Sequence, residues 1–365
     1  MTLDIVIFGL SITSSWGNGH ATTYRALSKA LAARGHRVTF LERATSWYRE
    51  HRDLKHAPYC RIELYDDLRE VARRFTPLVT QADLVILGSY VPDGIALGEW
   101  ITARADGIAA FYDIDTPVTL SKLEKGGSEY LSAKLIPRFD LFLSFTGGPV
   151  LDIIEQRYGS PRARVLYCSA DPDLHQPKDV PARWDLGYLG TYSADRQRVL
   201  ERLLIEPARQ LPDKKFVVAG AQFPADCDWP ENMDHFEHLP PAEHAQFYAA
   251  QRFTLNATRA DMARRGFSPS VRLFEAAACG VPVISDDWPG LDTLFGPGAE
   301  ILVARTARDV RELLAMPDER RKQIGAAARQ RFLRDHTPEQ RARDLERYCH
   351  EARSVPSETA AAVVA

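Results

Sequence analysis

The residues best suited to chemistry lie at the start of one predicted helix, in the segment GFSPSVRLFEAAACGVPVISD, residues 266–286. Good helix formers followed by a Gly-x-Pro break predict a helix over about residues 270–278 and then a buried strand. A helix N-terminus offers an anion unpaired backbone N–H groups and the positive end of the helix dipole. Ser268, Ser270 and Arg272 can add donors there. The segment therefore favours an anion site.

Glu275 is an unusual carboxylate on this otherwise small and apolar helix. Beside a phosphate site, a carboxylate commonly accepts hydrogen bonds from ribose hydroxyls. The alternative is a helix packed on a sheet, in which Arg272 and Glu275, at positions i and i+3, form a surface ion pair. The segment alone leaves both interpretations open.

A second polar loop lies in the sequence GYLGTYSADR, residues 187–196, between a predicted strand and a predicted helix. The backbone N–H groups of Gly190 and Thr191, with the Arg196 side chain, suit a pyrophosphate. Tyr192 belongs to the same loop. By itself the pattern is only a strand, a turn and a helix. Paired with the first segment, it predicts the second wall of one anion site.

In the first half of the chain, polar loops follow three predicted strands, at residues 11–20, 113–117 and 144–149. The carboxyl ends of parallel strands share one edge of a sheet, and ligands bind there. His20 begins the first long helix, where a neutral imidazole could accept a proton from a substrate hydroxyl. A helix-capping or merely exposed histidine is the alternative, and the sequence leaves both open.

Asp113 and Asp115 have the Asp-x-Asp spacing that can bind a divalent cation. Thr116 and Pro117 follow directly and favour a turn or a helix start, so that one aspartate is expected to be an N-cap. We favour a cap with a polar ligand contact over a metal site.

Gly17, Asn18 and Gly19 invite comparison with the dinucleotide fingerprint G-x-G-x-x-G, with Glu42 at the end of the second strand as the ribose-binding acid. However, Thr22 replaces the third glycine, and the loop after the strand is longer than the expected tight turn. A nicotinamide site is therefore only a minor alternative.

The elements that must position these residues alternate between strand and helix. In the first half, a helix over residues 21–33 is expected between the first two of five buried strands, at residues 5–9, 38–42, 83–88, 107–112 and 140–144. A Pro-rich linker at 176–181 precedes a second series. Its strands are expected at residues 186–190, 215–219, 233–238, 253–256, 283–286 and 300–303. Two doubly wound α/β domains follow from this alternation.

The expected domains are residues 1–176 and 177–335, with 336–365 as a C-terminal helix and frayed tail that packs toward the first domain. Within the second series, helices are expected at residues 195–209 and 243–250. The charged tail predicts helices at residues 308–316, 318–335 and 338–351. Its Arg and Glu runs are best explained as solvated helix faces.

The composition is that of a globular protein, with 45% hydrophobic and 26% charged residues and a net charge of −3. This charge gives no support for a nucleic-acid partner. No apolar run approaches the roughly 18 residues of a membrane span, and the N-terminus looks like a buried strand, so we expect a cytoplasmic protein without membrane insertion. Five scattered cysteines indicate neither disulfides nor a zinc site.

These features together resemble a GT-B glycosyltransferase, above all the Gly190-Thr191 loop and the run FEAAACGVPV at residues 274–283. Within that group the chain is most similar to the spore-maturation-protein CgeB-like glycosyltransferases, which often show Asp-x-Asp-x-Pro and Arg-x-x-Glu elements like those at residues 113–117 and 272–275. The resemblance covers nearly the whole chain. It implies two Rossmann-like domains facing each other across a cleft, the first for the acceptor and the second for a nucleotide sugar.

The resemblance implies a hexosyltransferase-like reaction that needs no metal and no other cofactor, with a UDP-, GDP- or dTDP-sugar as co-substrate and a small-molecule, glycan or other acceptor. His20, Asp115 and Arg272 are the implied catalytic residues, with His20 as the base if the reaction inverts. The implied donor-binding residues are Gly190, Thr191, Tyr192, Arg196, Leu239, Ser268, Ser270, Arg272 and Glu275. The implied acceptor-binding residues are Trp16, Asn18, His20, Asp113 and Asp115.

One position departs from the family pattern. Many retaining GT-B enzymes carry E-x7-E, and Phe267 stands where the first glutamate is expected. The donor sugar and the stereochemical outcome therefore stay open. A nucleotide-sugar epimerase and a non-catalytic nucleotide-sugar-binding protein are the two rival functions.

Overall fold

The computed structural model describes residues 2–16 and 19–354, which form two compact units. Of these residues, the first unit combines 2–16, 19–167 and 338–354, and the second is Cys168–Thr337. The frayed tail expected after residue 354 lies outside the described residues. We expected the first boundary after residue 176 and the second after residue 335. Residues 168–176 and 336–337 belong instead to the second unit, where His175 Nε2 lies 3.6 Å from Glu275 Oε1.

The first unit contains a parallel sheet of seven strands in the order β3-β2-β1-β4-β5-β6-β7. Its strands are β1 Asp4–Gly9, β2 Arg37–Arg43, β3 Arg61–Tyr65, β4 Leu84–Gly88, β5 Ile108–Asp113, β6 Leu141–Ser144 and β7 Ala163–Val165. The five strands expected from the sequence are confirmed, and the two edge strands β3 and β7 were missed. β3 carries charged, half-exposed residues and β7 has three residues, so that neither shows a buried apolar run.

Helices cover both faces of this sheet, as the βαβ pattern requires. They are α1 His20–Ala33, α2 Ser46–Arg49, α3 Leu68–Arg74, α4 Thr76–Gln81, α5 Gly94–Thr102, α6 Thr116–Glu124, α7 Val150–Gln156 and the C-terminal α16 Pro338–Ser354, with a 3₁₀ turn at Ile136–Arg138. Helix α16 packs beside α1: Glu346 accepts hydrogen bonds from Arg34 at 2.6 and 2.7 Å. The Tyr348 hydroxyl also donates to the Val165 carbonyl at 2.9 Å.

The second unit contains a parallel sheet of six strands in the order β10-β9-β8-β11-β12-β13. Its strands are β8 Trp184–Leu189, β9 Phe216–Ala219, β10 Met233–Phe236, β11 Gln251–Asn256, β12 Val283–Ser285 and β13 Leu302–Val303. All six agree with the sequence prediction to within two residues at each end. Their alternation with helices made them visible in the sequence.

The helices of this unit are α8 Ala194–Leu200, α9 Glu206–Gln210, α10 Pro241–Ala249, α11 Ala260–Arg265, α12 Val271–Ala278, α13 Leu291–Leu294, α14 Ala307–Leu314 and α15 Asp318–Asp335. A π-helical turn at Glu201–Ile205 joins α8 to α9. The helix expected at residues 270–278 is confirmed as α12, with Ser270 as its N-cap. Short α11 and α13 were not predicted.

Each sheet reverses its strand order at one point, between β1 and β4 in the first unit and between β8 and β11 in the second. In doubly wound sheets the crevice at this switch point, outside the carboxyl ends of the strands, is where ligands bind. Within the described ranges, no helix combines the length and the apolar character that crossing a membrane requires.

Candidate functional site

Arg272 joins the carboxyl ends of the two strands at which the second sheet reverses. Its Nε donates to the Leu189 carbonyl at the end of β8 at 2.5 Å, and its Nη1 donates to Asn256 Oδ1 at the end of β11 at 3.0 Å. The Ser270 hydroxyl donates to the same Asn256 oxygen at 2.8 Å. Arg272 is 6% exposed. The start of α12 therefore carries a buried cation held in one orientation.

The ring of Tyr188 packs against the Arg272 guanidinium. The guanidinium carbon of Arg272 lies 4.4 Å from the ring centroid, a cation–π contact. The Tyr188 hydroxyl accepts a hydrogen bond from Arg196 Nη1 at 3.0 Å, and the same nitrogen donates to the Thr191 carbonyl at 3.1 Å. Two arginines thus meet at one tyrosine beside the loop that follows β8.

Gly190 permits the close approach of this loop to Arg272. A Cβ at this position would collide with Arg272 Nη2 and would lie 2.6 Å from the Tyr188 hydroxyl oxygen. Gly220, after β9, is equally constrained because a Cβ there would collide with the Gly190 carbonyl. Because these positions are glycines, Arg272 Nη2 can lie close to the backbone of the loop. A diphosphate bound there could contact both the guanidinium and the backbone N–H groups.

Glu275 lies one turn further along α12 and is 3% exposed. In the described part of the chain it forms no pair with Arg272; its Oε2 accepts a hydrogen bond from the Tyr248 hydroxyl at 2.8 Å. The surface ion pair that was the alternative is therefore wrong. Burial alone would raise the pKa of Glu275, but the neighbouring His244 and His175 imidazoles and the Tyr248 hydroxyl outweigh it and lower the pKa to about 2. The carboxylate is charged at neutral pH.

The structure thus brings five of the expected donor residues into one cluster: Gly190, Thr191, Arg196, Ser270 and Arg272. Three others have different surroundings. Tyr192 packs edge-on against Phe223, with ring centroids 5.5 Å apart, Leu239 joins an apolar cluster, and Ser268 is 1% exposed just before α12.

Five residues with contacts in this region were missed by the sequence analysis: His175, Tyr188, His244, Tyr248 and Asn256. Two of them carried a usable signal. Asn256 is a polar residue that ends a buried strand, and Tyr188 lies next to a polar loop. His175 lies before β8, whereas His244 and Tyr248 lie one turn apart on α10, and no local pattern reveals that these two segments converge on Glu275.

In the first unit, His20, Tyr90 and Asp115 lie near one another at the carboxyl ends of the strands. The rings of His20 and Tyr90 are 5.6 Å apart, and the Tyr90 hydroxyl donates to Asp115 Oδ2 at 2.9 Å. Tyr90 has a φ of 64°, a left-handed backbone that is strained for a tyrosine. His20 is the first residue of α1 and Asp115 occupies the N-cap position of α6 without a side-chain cap bond.

Asp113 ends β5 and is completely buried. Its Oδ1 accepts hydrogen bonds from the Thr119 hydroxyl at 2.9 Å and from the Asp115 backbone at 3.2 Å. No described residue donates to its Oδ2. Burial raises the pKa of Asp113 to about 7, with a smaller contribution from Asp115. This carboxyl group can therefore exist in both protonation states near neutral pH.

Of the other two expected acceptor residues, Trp16 stacks on His51 with ring centroids 4.4 Å apart and meets Trp47 edge-on at 4.7 Å. Asn18 lies outside the described residues, as does Gly17.

Glu42 is fully buried and accepts hydrogen bonds from the Ile12 backbone at 2.8 Å and from the Thr13 backbone and hydroxyl at 3.0 and 2.6 Å. These contacts tie the loop after β1 to the end of β2. Because Glu42 is fully buried and both its oxygens accept these hydrogen bonds, it is not placed to bind a ribose, and the minor nicotinamide alternative lacks its acidic residue.

Phe267 has a left-handed backbone, with a φ of 52°, and its N–H donates to the Pro289 carbonyl at 2.6 Å. Its ring lies against Gly290, where a Cβ would collide with it. At the position of the expected first glutamate, the chain therefore has an aromatic side chain packed on a neighbouring loop.

Residues 196–347 match a family model described as glycosyl transferase-like. No curated protein sequence matches the chain significantly. The matched segment includes Arg196, α12 with Arg272 and Glu275, and most of the second unit.

Solved structures resemble nearly the whole chain at low sequence identity. Sucrose-phosphate synthase from Thermosynechococcus elongatus is 16% identical with a TM-score of 0.70, covering 96% of this chain and 99% of its own. HepE from Anabaena, solved with UDP and glucose, is 13% identical with a TM-score of 0.68, covering 94% and 98%.

A third similar structure is an alpha-glucosyltransferase in complex with UDP and a 13-mer DNA containing a HMU base. It is 13% identical with a TM-score of 0.70, covering 96% of this chain and 100% of its own. The two parallel sheets with their helices thus have the GT-B fold, as the sequence predicted.

Proposed function

We propose that the protein is a glycosyltransferase, which moves a sugar from a nucleoside-diphosphate sugar to an acceptor hydroxyl or amine. The observation that carries this proposal is the position of Arg272, which joins the ends of β8 and β11 at the switch point and is held by Leu189 and Asn256. The match of residues 196–347 to a glycosyl transferase-like family supports it. We further propose the CgeB-like subgroup and a cytoplasmic location.

The diphosphate would lie against Arg272, Arg196 and the N–H groups of Gly190 and Thr191. Negative charge grows on the leaving diphosphate as the glycosidic bond breaks, and preorganised donors stabilise such charge strongly. Two guanidinium groups already fixed by Tyr188 can do this without reorganisation. We therefore propose that the transfer step needs no metal at the diphosphate.

Glu275 would accept hydrogen bonds from the ribose hydroxyls, because it is ionised and lies one turn beyond Arg272 on α12. The chain around Leu239 would contact the base. UDP is the first nucleotide to test, since HepE and the alpha-glucosyltransferase were solved with UDP. GDP and dTDP are the nucleotides to test next.

The first unit would supply the acceptor side. His20 is the proposed base for an inverting reaction, and Asp115, held by the Tyr90 hydroxyl, would contact the acceptor or the transferred sugar. Asp113 contacts Asp115 directly, because its Oδ1 accepts a hydrogen bond from the Asp115 backbone N–H. Trp16 would add an aromatic contact to the acceptor.

The test is calorimetry and thermal shift with UDP, GDP and dTDP, followed by turnover assays with the matching sugar nucleotides. A ligand that binds only the folded state raises the melting temperature. Arg272→Lys should weaken nucleotide binding about tenfold or more, because lysine cannot reproduce the planar, stacked contact. Arg329→Lys is the control: this arginine donates to the Ala278 carbonyl, at the other end of α12.

Failure of all three nucleotides to bind would overturn the proposal. Conversion of the donor sugar without an acceptor would identify an epimerase. Nucleotide-sugar binding without turnover, across a broad acceptor panel, would identify a binding protein.

A further inference from the structure

Three potential metal ligands converge in the second unit, around one oxygen of Glu275. His175 Nε2 lies 3.6 Å and His244 Nδ1 lies 3.7 Å from Glu275 Oε1. All three atoms are within 4.8 Å of one another. The His175 side chain is 0% exposed and the Glu275 side chain 4%. The three residues come from the segment before β8, from α10 and from α12.

The other nitrogen of each imidazole fixes its tautomer. His175 Nδ1 lies 3.3 Å from the Asp171 carbonyl oxygen, and His244 Nε2 lies 3.2 Å from the Leu239 carbonyl oxygen. A carbonyl can only accept, so the proton of each neutral ring lies on the nitrogen facing it. In the neutral rings, each nitrogen facing Glu275 therefore carries a lone pair; it is the protonated imidazoles that lower the pKa of the carboxyl group.

This arrangement places two nitrogen lone pairs and a carboxylate oxygen face to face in a buried space. No described residue forms a hydrogen bond with either of these nitrogens. Electron-rich atoms left unpaired in the interior cost free energy, whereas a cation between them would satisfy all three at once.

We propose that His175, His244 and Glu275 bind a divalent transition-metal ion of the Zn²⁺ type. With bonds of about 2.0–2.1 Å, tetrahedral geometry separates ligand atoms by about 3.3 Å, close to the 3.6 and 3.7 Å present before any adjustment. Two imidazoles and one carboxylate suit zinc better than Mg²⁺ or Ca²⁺, which prefer oxygen ligands.

The surroundings of the three ligands have the pattern of a metal site. Ligating histidines usually donate their second ring N–H to a carbonyl or carboxylate, as His175 and His244 do here, and ligating carboxylates are hydrogen-bonded in turn. The Tyr248 hydroxyl fills that role for Glu275 Oε2, at 2.8 Å. Three protein ligands leave a fourth position for water or another small ligand.

The ion would cross-link the segment before β8 to α10 and α12, and so stabilise the folded second unit. The proposal needs only these three side chains, so it does not rest on the proposed transfer reaction. The ion and the ribose would compete for Glu275: with the ion bound, Oε1 is a metal ligand and Oε2 accepts from Tyr248, so the ribose contact proposed above belongs to the metal-free chain. The arginines at the Gly190 loop keep their proposed role at the diphosphate.

The test is titration of the chelator-stripped full chain with ZnCl₂ in a calorimeter, with bound metal counted by elemental analysis. We expect one Zn²⁺ per chain, a rise in melting temperature, and visible absorption bands of four-coordinate Co²⁺ after substitution. His175→Ala and His244→Ala should each lower the zinc affinity about 100-fold or more and abolish the Co²⁺ bands. His235→Ala, an exposed histidine on β10, should leave both unchanged.

Zinc binding that is unaffected in both variants would place the ion elsewhere and overturn the proposal, as would a wild-type chain that binds no Zn²⁺ at micromolar concentration. If His175→Ala does not fold, His244→Gln decides, since this side chain is 13% exposed and its replacement is less disruptive. UDP titrations are performed separately on the zinc-free chain. A chain that binds Zn²⁺ but no nucleotide keeps this proposal and overturns the transferase, and the reverse result does the opposite.

Discussion

The guanidinium of Arg272 lies 4.4 Å from the ring centroid of Tyr188, and the hydroxyl of the same tyrosine accepts a hydrogen bond from Arg196 at 3.0 Å. One side chain therefore orients two cations by two different interactions. The two interactions can be separated by mutation, because phenylalanine keeps the ring and loses the hydroxyl.

Tyr188→Phe should weaken UDP binding by about 1 kcal/mol, the usual net value of one hydrogen bond, since Arg196 loses its contact with Tyr188 and keeps only that with Thr191, while Arg272 keeps the ring. Tyr188→Leu removes both contacts and should cost more. Calorimetry with UDP measures the difference, and circular dichroism checks the fold. Equal affinities for the wild type and the leucine variant would remove Tyr188 from the site.

Gly190→Ala tests the close approach of the loop to Arg272. The new Cβ would collide with Arg272 Nη2, so the guanidinium must move, and we expect UDP affinity to fall about tenfold or more. Gly296→Ala is the matched control, because a Cβ there would meet Glu300 at an ordinary distance of 3.5 Å. A similar loss in both variants would point to a general effect of the substitution.

Tyr248→Phe should lower the free energy of unfolding by about 1–3 kcal/mol, because it leaves the buried Glu275 Oε2 without its donor. Tyr24→Phe is the comparison: the hydroxyl of Tyr24 is buried and has no hydrogen-bond partner among the described residues. Its removal should leave stability unchanged or raise it. Denaturant unfolding of both variants measures the contrast, and equal losses would contradict the role given to Tyr248.

Asp113 should make stability fall as the pH rises from about 4 to 7. In the unfolded chain this carboxyl ionises near the ordinary pKa of 3.8, whereas burial raises its pKa to about 7 in the folded protein. The folded state therefore holds a proton that the unfolded state has lost, which costs about 1.4 kcal/mol per pH unit in that window. Below pH 4 both states are protonated and the cost disappears.

The Asp113→Asn variant has no ionisable group at this position. Between pH 5 and pH 7 its free energy of unfolding should fall less than that of the wild type, by on the order of 2 kcal/mol. Asp106→Asn, at an exposed position, should follow the wild-type pH dependence. Parallel curves for the wild type and the Asp113 variant would show that this carboxyl is ionised in the folded protein at pH 5.

Much of the fold could be predicted because hydrophobic periodicity is a local property of the chain. Most strands of the second sheet and five of the first show the apolar runs of buried parallel strands. The edge strand β10 is mostly exposed and was predicted from its place in the alternation of strands and helices. β3 and β7 were not predicted because these edge strands bury fewer side chains and show little or no such apolar run. For the site, the helix start before α12, Arg272, Glu275 and the Gly190 loop were visible as unusual residues at the ends of predicted elements.

The partners of these residues were decided only by the tertiary structure. Arg272 and Glu275 are three residues apart, yet Arg272 donates to Leu189, 83 residues away, and Glu275 accepts from Tyr248, 27 residues away. The strand order β9-β8-β11-β12 places the ends of β8 and β11 side by side, and no local pattern specifies that order. The sequence by itself determined which side chains could do chemistry. The sheet topology decided which of them meet, because contacts between strand ends depend on spatial order and not on separation along the chain.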